Sequence, residues 1–213
     1  PARGGSKGIT KKNLRVIGKK TLIQIVAECV RNINFIYEVV LSSDSTEIIN
    51  EGNVHGLKSY FKRPEYISGD LIGDVPVLQH SLIETEKYNK CKYDVVVMLQ
   101  PTAPLRNPGH VEDIIKKLIN EDLDSVWTVH QVEKQFHPDK QLKINNVGYL
   151  DFYTTKGSKI IARQELDNSY IKNGLGYAVN RETLIEKASL LGKKSGFVIH
   201  KGPIINIDTE EDL

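Results

Sequence analysis

The first fourteen residues, Pro1-Ala2-Arg3-Gly4-Gly5-Ser6-Lys7-Gly8-Ile9-Thr10-Lys11-Lys12-Asn13-Leu14, hold three glycines, three lysines, an arginine and a serine, and little that could build a core. Such a mixture suits a polyphosphate. Glycine lets the backbone come close to an anion, successive amides form a concave nest, and flanking cations neutralise phosphate charge. A glycine-rich basic run at the head of a chain also fits a disordered tail. The continuation Leu14, Val16, Ile17 and then Leu22, Ile23, Ile25, Val26 favours the cradle, because a folded element follows without a linker. Spacing excludes two common nucleotide motifs. In a G-x-x-x-x-G-K-[ST] loop the glycine precedes a lysine, whereas Ile9-Thr10 follow Gly8; a G-x-G-x-x-G fingerprint does not match glycines at 4, 5 and 8.

Positioning such a loop needs a scaffold, and the rest of the chain reads as one. Apolar β-branched runs alternate with amphipathic ones, the pattern of βαβ units and a mostly parallel sheet flanked by helices. Strands are expected at 38–42, 57–61, 94–99, 125–129, 176–180 and 196–200, and helices at 21–32, 76–88, 110–120 and 181–191. The near-continuous apolar run Val95 to Leu99 is expected at the centre of the sheet. A strand is expected to lead into the opening loop, and a helix to begin near Leu213. Residues 133–172 break the alternation. They are polar, and Asn145-Asn146-Val147-Gly148 between Gln141–Ile144 and Tyr149–Tyr153 signals a hairpin. The expected organisation is a core of 1–132 and 173–213 with an insert at 133–172, and a coreless insert of this kind is often an oligomerisation arm.

A chain of 213 residues can bury one sizeable core, and its net charge of +2 does not suggest a nucleic-acid surface. Cys29 and Cys91 have no partner at metal-ligand spacing, which fits reduced thiols of an intracellular protein. No apolar run is long enough to span a bilayer and no signal peptide is evident, so a soluble, cytoplasmic protein without membrane association is expected.

Four motifs resemble the CMP-sialic acid synthetases (N-acylneuraminate cytidylyltransferases). Pro1 to Leu14 matches the family's P-A-R-x-x-S-K-G-[IL]-x-x-K-N-[LI] loop at every fixed position. Leu99-Gln100-Pro101-Thr102-Ala103-Pro104-Leu105-Arg106 resembles L-Q-P-T-[SA]-P-L-R, Asn173-Gly174-Leu175-Gly176-Tyr177 resembles N-G-x-x-Y, and Asn206-Ile207-Asp208-Thr209-Glu210-Glu211-Asp212-Leu213 resembles D-I-D-T-x-x-D-L. They fall in the family's order and cover nearly the whole chain.

The resemblance implies a Rossmann-like nucleotidyltransferase fold of the α/β class, with a small inserted dimerisation arm. The reaction it implies is attack by the anomeric hydroxyl of a nine-carbon 2-keto sugar acid on the α-phosphate of CTP, releasing pyrophosphate, with Mg²⁺ or Mn²⁺ as cofactor and a homodimer as the working form. Arg3 and Lys12 would meet the triphosphate above a floor of Gly4, Gly5 and Ser6. Asn13 and Arg63, the latter ahead of Pro64, would meet the nucleoside, and Ser68-Gly69-Asp70 roughly resembles the family's S-x-D turn. Gln100, just past a strand's carboxyl end, would contact substrate, while Arg106 would brace the loop. Asp208 would hold the metal. Here the chain departs from the pattern, because Asn206 stands where D-I-D has its first carboxylate, and an amide oxygen brings no charge. Lys140, Arg163, Gln164 and Asn173 match positions that meet the sugar acid, with Arg163 suited to a bidentate carboxylate pair.

The acceptor can be N-acetylneuraminate or legionaminate or a related bacterial nonulosonate. An eight-carbon acid is disfavoured, because its enzymes open on R-x-x-S-x-R-x-P, and a P-loop phosphotransferase lacks its G-K-[ST] here. A reading of another class, an inactive nucleotide-binding module, is motivated by Asn206.

Overall fold

The computed structural model describes residues 1–5 and 8–213. In chain order these form β1 (Val16–Ile17), β2 (Lys20–Thr21), α1 (Leu22–Val30), α2 (Thr46–Val54), α3 (Asp74–Asn89), β3 (Val95–Met98), α4 (Pro108–Asn120), β4 (Ser125–Gln131), β5 (Leu142–Ile144), β6 (Leu150–Phe152), β7 (Tyr170–Asn180), α5 (Arg181–Ile185) and β8 (Ser195–Ile199). Helix starts follow local chemistry. Thr21, Asn107 and Asn180 each turn a side-chain oxygen onto a first-turn amide, at 3.1, 3.1 and 2.8 Å. α3 ends where Lys90 takes a left-handed conformation (φ 52°) and its N–H returns to Glu86 O.

The chain divides into two compact units, 1–128 with 173–198 and 202–213, and 129–172 with 199–201. The fold is α/β, and its four-stranded sheet, ordered β3-β7-β4-β8, is mixed: β7 runs antiparallel to β3, with Met98 opposite Tyr177 and Val95 opposite Asn180. β3 heads that order. Its Val95 to Val97 are half-buried and line a largely apolar cavity of about 850 Å³, shared with Ile23, Val39, Leu41 and Leu78. In the first unit one core cluster joins α1 and α4 through Cys29, Ile33, Val111, Ile114 and Leu118. Another joins α3 to the β7 face through Leu78, Leu82, Met98, Tyr177 and Leu184.

Three expectations about elements are corrected. The expected strands at 38–42 and 57–61 reduce to a single parallel bridge, Val40 with Lys58. The helix expected over 181–191 stops at Ile185, because Ala188 is left-handed (φ 46°) and Trp127 Nε1 draws the following turn in by donating to Leu190 O at 2.8 Å. α2 was not anticipated: Asn50, Gly52 and Asn53 are weak helix formers. Packing decides it, since a Cβ on Gly52 would lie 2.3 Å from Leu41 Cδ2.

The second unit carries the expected hairpin, with Leu142, Lys143 and Ile144 opposite Phe152, Asp151 and Leu150. Buried His137 accepts at Nδ1 from Asp139 N (3.1 Å), and Asp139 Oδ1 accepts from Thr154 Oγ1 (2.6 Å). Among the described residues no helix is long and apolar enough to cross a membrane. Both cysteines are free thiols.

Buried Glu86 fastens α3 to the start of α5. It accepts from Arg181 Nε at 2.8 Å, Lys92 Nζ at 2.8 Å and Tyr93 N at 3.2 Å, and the Arg181 hydrogen bond leads in drawing its carboxyl down to about 2. A depressed carboxyl stabilises the fold above its unfolded pKa and loses that effect as pH falls through the folded one. Glu86→Gln should cost about 2–3 kcal/mol at neutral pH in urea titrations. The gap to the unaltered protein should close between the ordinary carboxyl value of 4.5 and about 2; a pH-independent gap would refute the charge as its cause.

Candidate active site

The opening run is seated at the carboxyl end of the 40–42 segment, where Ala2 N donates to Ser42 O (2.9 Å). Two residues on, Gly4 N donates to Asp44 Oδ1 at 2.9 Å, and the same oxygen lies 3.5 Å from Arg63 Nη2. Arg63 is buried and its backbone N reaches Ser43 O at 2.8 Å. Burial lowers its pKa, and Asp44 offsets part of that shift. Arg3 pairs with Asp70 at 2.8 Å. Asn13, also buried, donates from Nδ2 to Arg3 O at 3.0 Å, so it ties one end of the loop to the other. Between them Lys11 takes a left-handed conformation (φ 53°) and enters a short 3₁₀ turn, Lys12–Leu14.

The chain end meets this loop from the other side. Ile207 is buried with Ile9 and Leu22, and its N–H donates to Thr102 O at 2.8 Å, so one residue links the opening loop to the loop after β3. The approach is close: a Cβ on Gly8 would lie 2.4 Å from Asp208 O, and backbone cannot move aside for it. Lys12 Nζ pairs with Asp208 Oδ1 at 2.8 Å. Asp212 Oδ2 fixes the turn below, accepting from Asp208 N (2.9 Å) and Thr209 N (2.8 Å).

Gln100, Asn206 and Gly174 form the third side. Gly174 has φ +75°, and a Cβ there would lie 2.9 Å from Asn206 Oδ1 and 3.3 Å from Gln100 Oε1. Behind them Arg106 is buried, as the expected brace. It donates from Nε to Leu175 O and from Nη2 to Gln100 O (2.6 Å) and Gly174 O (2.9 Å). Burial pushes its pKa down to about 10, which leaves it charged at neutral pH. Asn173 is buried beside it, its Oδ1 accepting from Thr128 Oγ1 (2.6 Å) and Leu175 N (3.2 Å), while its Nδ2 finds no partner among the described residues.

The sequence-selected residues thus gather in small groups within the first unit. Gly4 and Arg63 meet at Asp44, Asn13 is bonded to Arg3 next to Gly4, Lys12 pairs with Asp208, and Asn206, two residues before Asp208, lies with Gln100 against Gly174. Gly5 is exposed between them, and Ser6 lies outside the described residues. Lys140, Arg163 and Gln164 belong to the second unit, all exposed, Lys140 closing one 3₁₀ turn and the other two opening another. Asp44 was missed. Its signal was available, an acid placed between an apolar run and the Ser45 helix cap, at a strand's carboxyl end where ligands of α/β sheets collect.

Four cations of this region are held by carboxylates from other segments: Arg3 by Asp70, Lys11 by Glu47, Lys12 by Asp208 and Arg15 by Glu210. Pairs of this kind near the surface are weak, so an anion with several oxygens can replace those at Arg3 and Lys12. Among the described residues no group of three or more His, Cys, Asp or Glu is placed to hold a metal. One exposed carboxylate, Asp208, with the Asn206 amide nearby, fits a Mg²⁺-type ion that takes most of its oxygens from phosphate and water.

Gly174→Ala should destabilise the protein by about 1–2 kcal/mol, since alanine is strained at positive φ, and should displace Gln100 or Asn206. Urea denaturation and CTP binding measure the two effects. A fully stable variant with unaltered CTP affinity would show that this corner is not part of the site.

Comparison with known proteins places the chain in a family. The family model for cytidylyltransferases matches residues 1–204. A pseudaminic acid cytidylyltransferase of Campylobacter jejuni is 31% identical over 214 residues, covering 100% of this chain and 90% of that protein. A CMP-N,N'-diacetyllegionaminic acid synthase of the same species is 27% identical, covering 100% and 89%. An N-acylneuraminate cytidylyltransferase of Streptococcus agalactiae is also 27% identical, covering 100% of this chain and 50% of that longer protein. In fold, the chain is similar to a CMP:2-keto-3-deoxy-manno-octonic acid synthetase complexed with CTP, with a TM-score of 0.69 at 20% identity, covering 99% of this chain and 92% of that one. With a family match running through the opening loop, Gln100 and Asn173, the chain belongs to the cytidylyltransferases, in the family of the CMP-sialic acid synthetases and their relatives.

Proposed function

We propose that this enzyme transfers CMP from CTP to the anomeric hydroxyl of a nonulosonic acid, N-acetylneuraminate or a bacterial analogue such as legionaminate, and releases pyrophosphate. The meeting of Lys12, Gln100, Asn206 and Asp208 at one corner of the fold carries the reading, since it joins a phosphate cation, a polar substrate contact and a metal carboxylate. The names of its relatives support the acid sugar. In the reaction the anomeric oxygen bonds to the α-phosphorus, the bond from that phosphorus to the α,β-bridging oxygen breaks so that pyrophosphate leaves with that oxygen, and the proton of the hydroxyl passes to solvent. Such transfers depend on positioning and on neutralising charge.

Arg3 and Lys12 supply the neutralising charges once Asp70 and Asp208 are exchanged for phosphate oxygens. The amide floor begins at Gly5, because the Gly4 N–H is committed to Asp44. Arg63, held beside Asp44, meets the nucleoside, and Asn13 keeps the loop closed beneath it. Asp208, with Asn206, would hold Mg²⁺ or Mn²⁺, which when bound draws charge from the phosphates. By motif position alone, the family resemblance supports sugar-acid contacts for Lys140, Arg163, Gln164 and Asn173.

We also propose a homodimer through the second unit. Ile144 and Leu150 are cross-strand partners on the hairpin and are 74% and 71% exposed, which is costly for a protein that stays alone in water.

Pyrophosphate release, measured with CTP, Mg²⁺ and a panel of N-acetylneuraminate, legionaminate, pseudaminate and an eight-carbon ketodeoxy acid, tests the reading. Turnover with a nine-carbon acid and not the eight-carbon one is expected. CTP binding without turnover on any acid would instead support an inactive nucleotide-binding module. Asp208→Ala should lower kcat by a factor of about 10² or more if that residue holds the metal, and near-normal rates at low Mg²⁺ would count against it. For the dimer, Ile144→Asp with Leu150→Asp should sediment as a monomer; an unchanged sedimentation coefficient would remove the hairpin from the interface.

A further inference from the structure

Lys12 and Asp208 have opposite tasks in the proposed reaction, one for phosphate and one for metal, yet they hold each other at 2.8 Å. Their surroundings prevent them from simply drifting apart. Lys12 sits on the 3₁₀ turn closed by the Leu14 N to Lys11 O and Arg15 N to Lys12 O hydrogen bonds, and its side chain is only 18% exposed. Asp208 follows buried Ile207, its N–H is taken by Asp212, and its carbonyl is packed against Gly8. The carboxylate itself is 68% exposed and so reachable by an incoming ion.

We propose that this pair is an interlock that makes the binding of metal and of triphosphate mutually dependent. The inference rests on the functional reading above. A divalent ion arriving alone at Asp208 meets an ammonium on the same carboxylate, and like charges a few ångströms apart repel. A triphosphate arriving alone at Lys12 meets a carboxylate there. When both arrive together, the ion takes Asp208, a phosphate oxygen takes Lys12, and no charge is left facing its own sign. Lys11 and Arg15 have carboxylates of their own, Glu47 and Glu210, whereas Asp212, which accepts from the Asp208 N–H, also feels the Lys12 charge and belongs to the same corner. The lack of a cluster of three or more acidic or His/Cys ligands among the described residues agrees, since a metal site without one gains its remaining oxygens from the nucleotide. Such coupling is reciprocal, so each ligand must raise the affinity of the other by the same factor.

The interlock predicts gains of affinity where loss of a contact would predict none. Mn²⁺ binding to the nucleotide-free full chain, read from the electron paramagnetic resonance of free Mn²⁺, should be about two- to fivefold tighter in Lys12→Gln than in the unaltered protein, the range of an exposed ion pair. Lys11→Gln, which removes the same charge one residue away, should leave it unchanged. In the reciprocal arm, CTP binding in EDTA, measured by calorimetry, should be about two- to fivefold tighter in Asp208→Asn and unchanged in Glu210→Gln. With CTP and Mn²⁺ together both interlock variants should bind more weakly than the unaltered protein.

Equal gains in Lys11→Gln and Lys12→Gln would overturn the interlock in favour of general electrostatics. So would weaker Mn²⁺ binding in Lys12→Gln, or an Asp208→Asn variant whose EDTA affinity for CTP is unchanged. These outcomes are separate from failure of the function, which shows as absence of CMP transfer in the unaltered protein while its ligand affinities remain measurable.

Discussion

A single buried guanidinium holds the site together. Among the described residues Arg106 has no carboxylate hydrogen-bonded to it; it donates to the carbonyls of Gln100, Gly174 and Leu175. Backbone dipoles can satisfy such an ion only when aimed at it, so the loop after β3 and the start of the apolar part of β7 are forced into one relative arrangement. Gln100 and Gly174 inherit their places from that requirement, and Asn206 is then held beside them. Exchange of the arginine for a lysine would keep the charge but lose the planar fork that reaches three carbonyls.

The opening loop depends on a different principle, close backbone approach. Gly8 admits the carbonyl of Asp208, Ile9 and Ile207 share an apolar seat with Leu22, and Asn13 closes the loop on Arg3. The apolar seat fixes position while the cations above it keep weak, exchangeable partners. This division suits a site whose ligand is highly charged, because the ligand replaces ion pairs and disturbs no buried packing.

Much of the fold was legible because local chemistry and tertiary packing agree. Thr21 and Asn107 mark helix starts, and the Asn145 to Gly148 turn marks the hairpin. Agreement failed where a long-range contact overrode propensity: Gly52 sits in a helix because it fits against Leu41, and Trp127 captures the turn where a helix was expected to continue. The apolar run of β3 read as an interior strand, and it heads the four-stranded order with Val95 to Val97 lining an apolar cavity.

The sequence by itself determined the chemistry available: a basic glycine-rich loop, Gln100 bracketed by prolines, an acid at 208 with an amide at 206, and the family these motifs resemble. Only the tertiary structure decided which groups meet. That Lys12 lies on Asp208, that Asp44 occupies the Gly4 amide and stands beside Arg63, and that Gly174 makes room for Asn206 are contacts between residues 19 to 196 positions apart. Spacing along a chain specifies local geometry, whereas ion pairs and close approaches form wherever packing brings partners within a few ångströms.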